Sequence, residues 1–240
     1  MFVNYAHRGA SEYAPENTMP SFELGLSMGA NGIETDIQRT RDGKLVLFHD
    51  RAIDEKSNGT GAIADYTYEE LLQMDFGAWK DERFAGTKIT LFEDFAKKFL
   101  PLDLIFAIEL KVQGIAADAI AIMKQYGNMD HIFVSSFLFE ALEEARAVDP
   151  DVKLTWLIKD PINEENIARL KTINGTQISP RATLVDAEQI ALAKRHGLTV
   201  RLWGVKDTDI MQQVYPLDTE GMTVNFPDCL TELMKASPKK

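Results

Sequence analysis

The chain has 240 residues, 45% hydrophobic and 26% charged, which suits one large globular domain with a sizeable core. Its formal net charge of −11 argues against a general binder of nucleic acid or of an anionic membrane. Cys229 is the only cysteine, so no internal disulfide is possible, and no apolar stretch is long enough to span a bilayer.

Residues 2–7 form a short apolar run that reads as a buried strand and ends in His7-Arg8-Gly9. With a strand starting so near residue 1, no secretion signal is visible, and the expected location is cytoplasmic. His7 can exchange a proton near neutral pH, Arg8 offers a planar fork for phosphate or carboxylate, and Gly9 lets the backbone turn sharply. Taken alone, the three residues read more readily as a core histidine beside a surface arginine. Pro15-Glu16-Asn17-Thr18 follows, with Thr18 expected to cap a helix running to about Gly29. Phe22, Leu24, Leu26 and Met28 supply its apolar side.

A second strand is expected over Gly32–Ile37, with Glu34 and Asp36 on one face and Ile33 and Ile37 on the other. Two carboxylates on one face repel each other and call for a cation or a solvated position. Arg41–Lys44 reads as a hairpin turn with Asp42-Gly43 at its tip. Leu45–Phe48 then returns antiparallel and ends in His49-Asp50. If Asp42-Gly43 is a two-residue loop, His49 falls opposite Asp36. From Arg51 to Lys88 the pattern is polar and irregular, with one short helix at Tyr68–Met74. Residues 38–88 therefore read as an insertion, and the run Met74–Phe84, with Phe76 and Trp79, is expected to pack it onto the framework.

A regular alternation follows. Helix 91–100 leads to strand 104–111, helix 115–126, strand 131–136 and helix 138–148. Strand 153–158, helix 163–171, strand 176–180 and helix 186–196 come next. Strand 199–205, helix 208–215, strand 221–226 and helix 228–236 complete the series. With the first two strands this makes eight strand–helix units, which predicts a single (β/α)8 barrel, a TIM barrel, over residues 1–240. Residues 38–88 would lie over its catalytic end. An open doubly wound sheet is the alternative, but no G-x-G-x-x-G follows the first strand.

In such a barrel the reactive side chains stand at the C-terminal strand ends. His7 and Arg8 end the first strand, Glu34 and Asp36 the second, and Glu109 and Lys111 the third. The hairpin adds His49. Glu34, Asp36 and Glu109 form an oxygen-only set suited to one divalent cation, Mg²⁺ or Ca²⁺ with Mn²⁺ as a further option, more than to Zn²⁺. Arg8 and Lys111 can face a phosphate or bridge to those carboxylates. His131 enters its strand from the opposite end, and His196 closes a helix before Gly197, so both read as structural.

These motifs together resemble the glycerophosphodiester phosphodiesterase family. The resemblance rests on His7-Arg8-Gly9 with Pro15-Glu16-Asn17-Thr18, Glu34-x-Asp36, His49-Asp50 and Glu109-x-Lys111. Ser136-Phe137, Trp203 and Asn225-Phe226-Pro227 extend it over nearly the whole chain. It implies a (β/α)8 barrel with an insertion after strand two, a divalent metal, and hydrolysis of deacylated phospholipid diesters to sn-glycerol 3-phosphate and an alcohol. His7 and His49 would share the acid and base roles, and Phe137 and Trp203 would wall the substrate. Which histidine is acid stays open, as does whether water or a glycerol hydroxyl attacks first. Trp203-Gly204-Val205-Lys206 departs from the Trp-Thr-Val-Asn common in relatives, which leaves the contacts to the alcohol open. The expected partner is a small glycerophosphodiester, not nucleic acid, and the oligomeric state is not legible. Competing readings are a lysophospholipid headgroup hydrolase and a silent ligand-binding barrel.

Overall fold

The computed structural model describes residues 2–239. Met1 and Lys240, part of the expected span, lie outside the described residues. The first half runs β1 (Val3–His7), α1 (Met19–Ser27), β2 (Gly32–Arg39), β3 (Leu45–Leu47), α2 (Tyr68–Leu71), β4 (Thr90–Leu91), α3 (Phe92–Phe99), β5 (Ile105–Leu110), α4 (Ala116–Tyr126) and β6 (Ile132–Ser136). The second half runs α5 (Phe139–Val148), β7 (Lys153–Leu157), α6 (Glu164–Thr172), β8 (Gln177–Ser179), α7 (Ala187–Arg195), β9 (Thr199–Val205), α8 (Thr208–Val214), β10 (Gly221–Val224) and α9 (Pro227–Ala236).

Eight parallel strands close into a barrel because β1 pairs with both β2 and β10. Between them the order is β2, β5, β6, β7, β8, β9, β10. The alternation along each strand decides what lies inside. Ile33, Ile37, Ile108, Val134, Ile178 and Leu202 belong to the main apolar core under the helices. The alternate positions face the axis and are largely polar, with Thr155 donating to Gln177 at 3.0 Å and Gln177 to Thr199 at 3.2 Å. No helix among the described residues is long and apolar enough to cross a membrane.

Helix α1 starts after Thr18 as expected, but the Thr18 hydroxyl donates back to the Pro15 carbonyl at 2.5 Å and does not cap the helix. Its buried face is Ser21, Phe22 and Gly25, and a Cβ on Gly25 would stand 2.9 Å from that of Ala6. Of the expected apolar side, Phe22 is buried in the core and Leu26 packs against it, and the closest approach to β1 runs through the small residues Ser21 and Gly25. The hairpin also departs from expectation. Ile37 pairs with Leu47 and Arg39 with Leu45, so Phe48, not His49, stands opposite Asp36. The Phe48 amide donates to the Asp36 carbonyl at 3.1 Å. The loop is one residue longer than a tight two-residue turn, because Gly43 sits at φ +84° inside a Thr40–Lys44 closure. That slip would turn His49 to the outer face if the strand continued. It ends at Leu47, and the irregular backbone beyond carries the ring to the cavity.

The insertion has its own small core of Val46, Phe48, Ile53, Ile63, Leu71, Phe76 and Ile89. It docks on the loop that leaves β1. Lys80 donates to the Ser11 carbonyl at 2.8 Å, and Arg83 to that of Tyr13 at 3.1 Å. The expected helix at Tyr68–Met74 is shorter, ending at Leu71, and Trp79 is 37% exposed while Phe76 is buried. Asp75 ties the segment together by accepting from the amides of Gly77 at 2.7 Å, Ala78 at 2.9 Å and Gly86 at 2.6 Å. These amides hold its carboxyl below the usual range. The contribution is therefore present at neutral pH and is lost as the pH falls through that lowered value. Asp75→Ala is expected to cost about 1 kcal/mol, as loss of a helix cap does. Amide exchange at Gly77, Ala78 and Gly86 should quicken while the barrel strands stay protected. Unchanged exchange at those amides would contradict this.

Candidate active site

The C-terminal ends of β1, β2 and β5 lie side by side because these strands are neighbours. In register, His7 stands beside Glu34, and Asp36 beside Glu109. A cavity of about 350 Å³ opens above them, lined by His7, Arg8, Glu34, His49 and Glu109 on one wall. Phe137 and Trp203 form the opposite wall, their rings edge-to-face at 5.1 Å. The Trp203 indole nitrogen donates to the carbonyls of Ile158 at 3.2 Å and Ser179 at 3.1 Å, which fixes the ring. Asp36 is buried beneath the floor, and Lys111 opens onto an adjoining hollow that it shares with His49. His131 and His196 stand apart, near Asp103 and Glu164 respectively.

The charges interlock. Arg8 Nε lies 3.0 Å from Asp36 and its terminal nitrogen 2.9 Å from Glu16. Lys111 Nζ is 2.8 Å from Glu109 and 3.6 Å from Asp36. Burial opposes the Asp36 charge, but Arg8 and Lys111 outweigh it and hold the carboxyl well below the usual range. Glu34 is pushed the other way by burial and by Asp36. For the same two reasons Glu109 is pushed up to about 7. Burial and the neighbouring Arg8 push His7 down to about 3, so its ring is neutral. His49 is also lowered, by burial first, against the pull of Asp36.

Several supporting residues had no role in the sequence reading beyond the motifs of the resemblance. His7 Nδ1 lies 2.5 Å from Asn225 Oδ1, and His49 Nδ1 lies 2.7 Å from Asp50. An amide oxygen and a carboxylate both accept, so both rings donate from Nδ1 and present Nε2 to the cavity. Asn17 donates to Asp36 at 3.0 Å and accepts from Thr35 at 2.8 Å. It does so from φ +57°, a left-handed conformation that asparagine tolerates. Lys56 bridges Glu16 and Asp50 at 2.7 Å each. Asn225 stands just past the last strand, where the strand-end rule that picked out His7 would have found it. Asn17 was quoted as part of the Pro15–Thr18 motif at the helix start without a role of its own, and nothing local ties it to Asp36.

An eightfold barrel with titratable groups gathered on its C-terminal rim is a barrel enzyme in architecture. Residues 7–229 match the model of the glycerophosphoryl diester phosphodiesterase family, and the chain belongs to that family. A glycerophosphodiester phosphodiesterase of Caldanaerobacter subterraneus subsp. tengcongensis is 30% identical over 236 residues, covering 96% of each chain. One from Bacillus subtilis is 26% identical, covering 97% of this chain and 86% of the relative. Among solved structures, an Oleispira antarctica phosphodiesterase in complex with the product sn-glycerol-3-phosphate superposes with a TM-score of 0.89 at 25% identity, covering 96% of each chain. A glycerophosphodiester phosphodiesterase from Agrobacterium tumefaciens gives 0.85 at 25% identity, covering 97% of this chain and all of that one.

Proposed function

We propose that the protein hydrolyses glycerophosphodiesters to sn-glycerol 3-phosphate and an alcohol, with one divalent cation and with His7 and His49 as base and acid. The observation that carries this reading is the pairing of two anchored imidazoles with a carboxylate trio, of which Glu34 and Glu109 line the same cavity and Asp36 lies beneath its floor. Glu34, Asp36 and Glu109 each offer an oxygen within 4.8 Å of the others. Glu34 Oε2 and Asp36 Oδ1 are buried without a hydrogen-bond partner, which fits a cation of the Mg²⁺ or Ca²⁺ kind. Held by these three carboxylates, such an ion would supply Lewis-acid stabilisation of charge on the phosphoryl oxygens.

The chain's own groups divide the remaining work. Arg8 and Lys111 sit beside the trio and give the phosphate further positive charge. His7, neutral and backed only by an amide oxygen, suits the base: Nε2 takes the proton of the attacking oxygen, either of water, which gives glycerol 3-phosphate directly, or of the glycerol 2-hydroxyl, whose cyclic phosphate water then opens. As the phosphorus–oxygen bond to the alcohol breaks, His49 gives a proton to the departing oxygen. Asp50 behind it favours the protonated ring in a way that Asn225 cannot. Phe137 and Trp203 would wall the organic part of the substrate.

The test is an enzyme-coupled measurement of glycerol 3-phosphate released from glycerophosphoglycerol, glycerophosphoethanolamine and glycerophosphocholine. Release from at least one of them is expected. Absence of release from all three, with Mg²⁺, Ca²⁺ and Mn²⁺ each supplied, would sink the proposal.

A further inference from the structure

We propose that the wall of the cavity facing the carboxylate trio is a second anion subsite, which takes a phosphate group carried on the alcohol part of the diester. This rests on the hydrolytic reading above and deepens it. The chain carries 37 acidic against 26 basic residues, so a local group of cations stands out against its overall charge. Four such cations gather here. Arg181 lies 5.5 Å from the Trp203 ring, and Lys159 lies 5.6 Å from that of Phe137. Lys206 and Arg201 line the cavity itself. Among the described residues none of the four is paired with a carboxylate, whereas Arg8 and Lys111 opposite each contact two. Asp160 and Asp207 adjoin Lys159 and Lys206 in sequence, yet neither pairs with them, and Asp207 instead accepts from the Ile210 amide at 2.8 Å.

Arg201 is the strongest member. It is 1% exposed, and one terminal nitrogen donates to Thr223 at 2.8 Å. Its Nε and other terminal nitrogen have no hydrogen-bond partner. Tyr5, whose ring lies 5.2 Å away, is pushed up to about 12 by burial and stays neutral, and the carboxylate that feels Arg201, Glu34, forms no ion pair with it and leaves its idle donors free. A buried guanidinium with idle donors is costly unless something anionic meets it. A fork of donors at the floor with lysines and an arginine at the rim is the arrangement that recognises phosphate. The same wall disfavours a quaternary ammonium, because Arg181 and Lys159 already occupy the neighbourhood of the aromatic rings that would attract one.

The experiment compares kcat/KM for three diesters that differ in the alcohol: glycerophosphocholine, glycerophosphoglycerol and bis(glycerophospho)glycerol, whose alcohol part bears a second phosphate. The expected ratio of the last to the first is about tenfold or more, shrinking as salt is added. Arg201→Met and the double variant Arg181→Ala/Lys206→Ala should each collapse that ratio toward one. General damage to the barrel would lower all three values together and leave the ratio standing. Should Arg201→Met fail to fold, the rim variant carries the test. Hydrolysis of glycerophosphoglycerol without a preference for the second phosphate overturns the subsite alone. A ratio that survives the variants overturns it too. Loss of hydrolysis on all three diesters strikes the underlying function instead.

Discussion

Alanine at His7 or at His49 is expected to lower kcat about 10²- to 10⁴-fold on a natural diester, the usual worth of a general acid or base. KM should move less, because Arg8, Lys111 and the carboxylate-held cation would still meet the phosphate. The double variant should fall far short of the product of the two losses, since groups acting in one step are not additive. The two rings sit in different electrostatic settings, and this makes the result directional. Asn225 accepts from His7 without adding charge, whereas Asp50 accepts from His49 with a full negative charge. A nitrophenyl diester needs no proton on its leaving group. It should therefore rescue His49→Ala and not His7→Ala. Rescue of His7→Ala alone would reverse the assignment. If both variants match the parent on the natural diester, the catalytic reading fails. His196→Ala should be almost silent, since that ring pairs with Glu164 at the end of α7, away from the rim.

Glu109→Gln should remove most activity while the fold persists. Glu109 is 6% exposed and lies with Glu34 and Asp36 in a cluster of three carboxylates. Neutralising one relieves repulsion, and Lys111 keeps Asp36 at 3.6 Å as a partner. The bare protein should therefore melt no earlier than the parent. A difference appears when cation is added. Saturating Mg²⁺ or Ca²⁺ raises the melting temperature of a protein that binds it only when folded. The parent should show that rise and Glu109→Gln should not. Full activity in the parent after exhaustive chelation would refute the metal assignment, as would an undiminished rise in the variant.

Much of this site was legible from strand ends. A period of two put Glu34 with Asp36, and the barrel rule placed both near His7 and Glu109, because consecutive parallel strands must be neighbours. The same rule, applied to β9, would have set Arg201 on the face of Trp203. His49 reached the cavity although the register expected for it was off by one. That error arose in the turn, where Asp42-Gly43 is compatible with two loop lengths that differ in which residue faces inward.

The sequence by itself determined the eight strand–helix units, the insertion and the residue types at the rim, since these follow from local periodicity and turn chemistry. What only the tertiary structure decided is how those side chains are partnered. Asn17 meets Asp36, Asn225 holds His7, and Lys56 links Glu16 to Asp50 across segments separated in sequence. The protonation of each ring follows from those contacts and from burial. It is a property of the closed barrel, where low dielectric and long-range pairing act together, and no local stretch of chain encodes it.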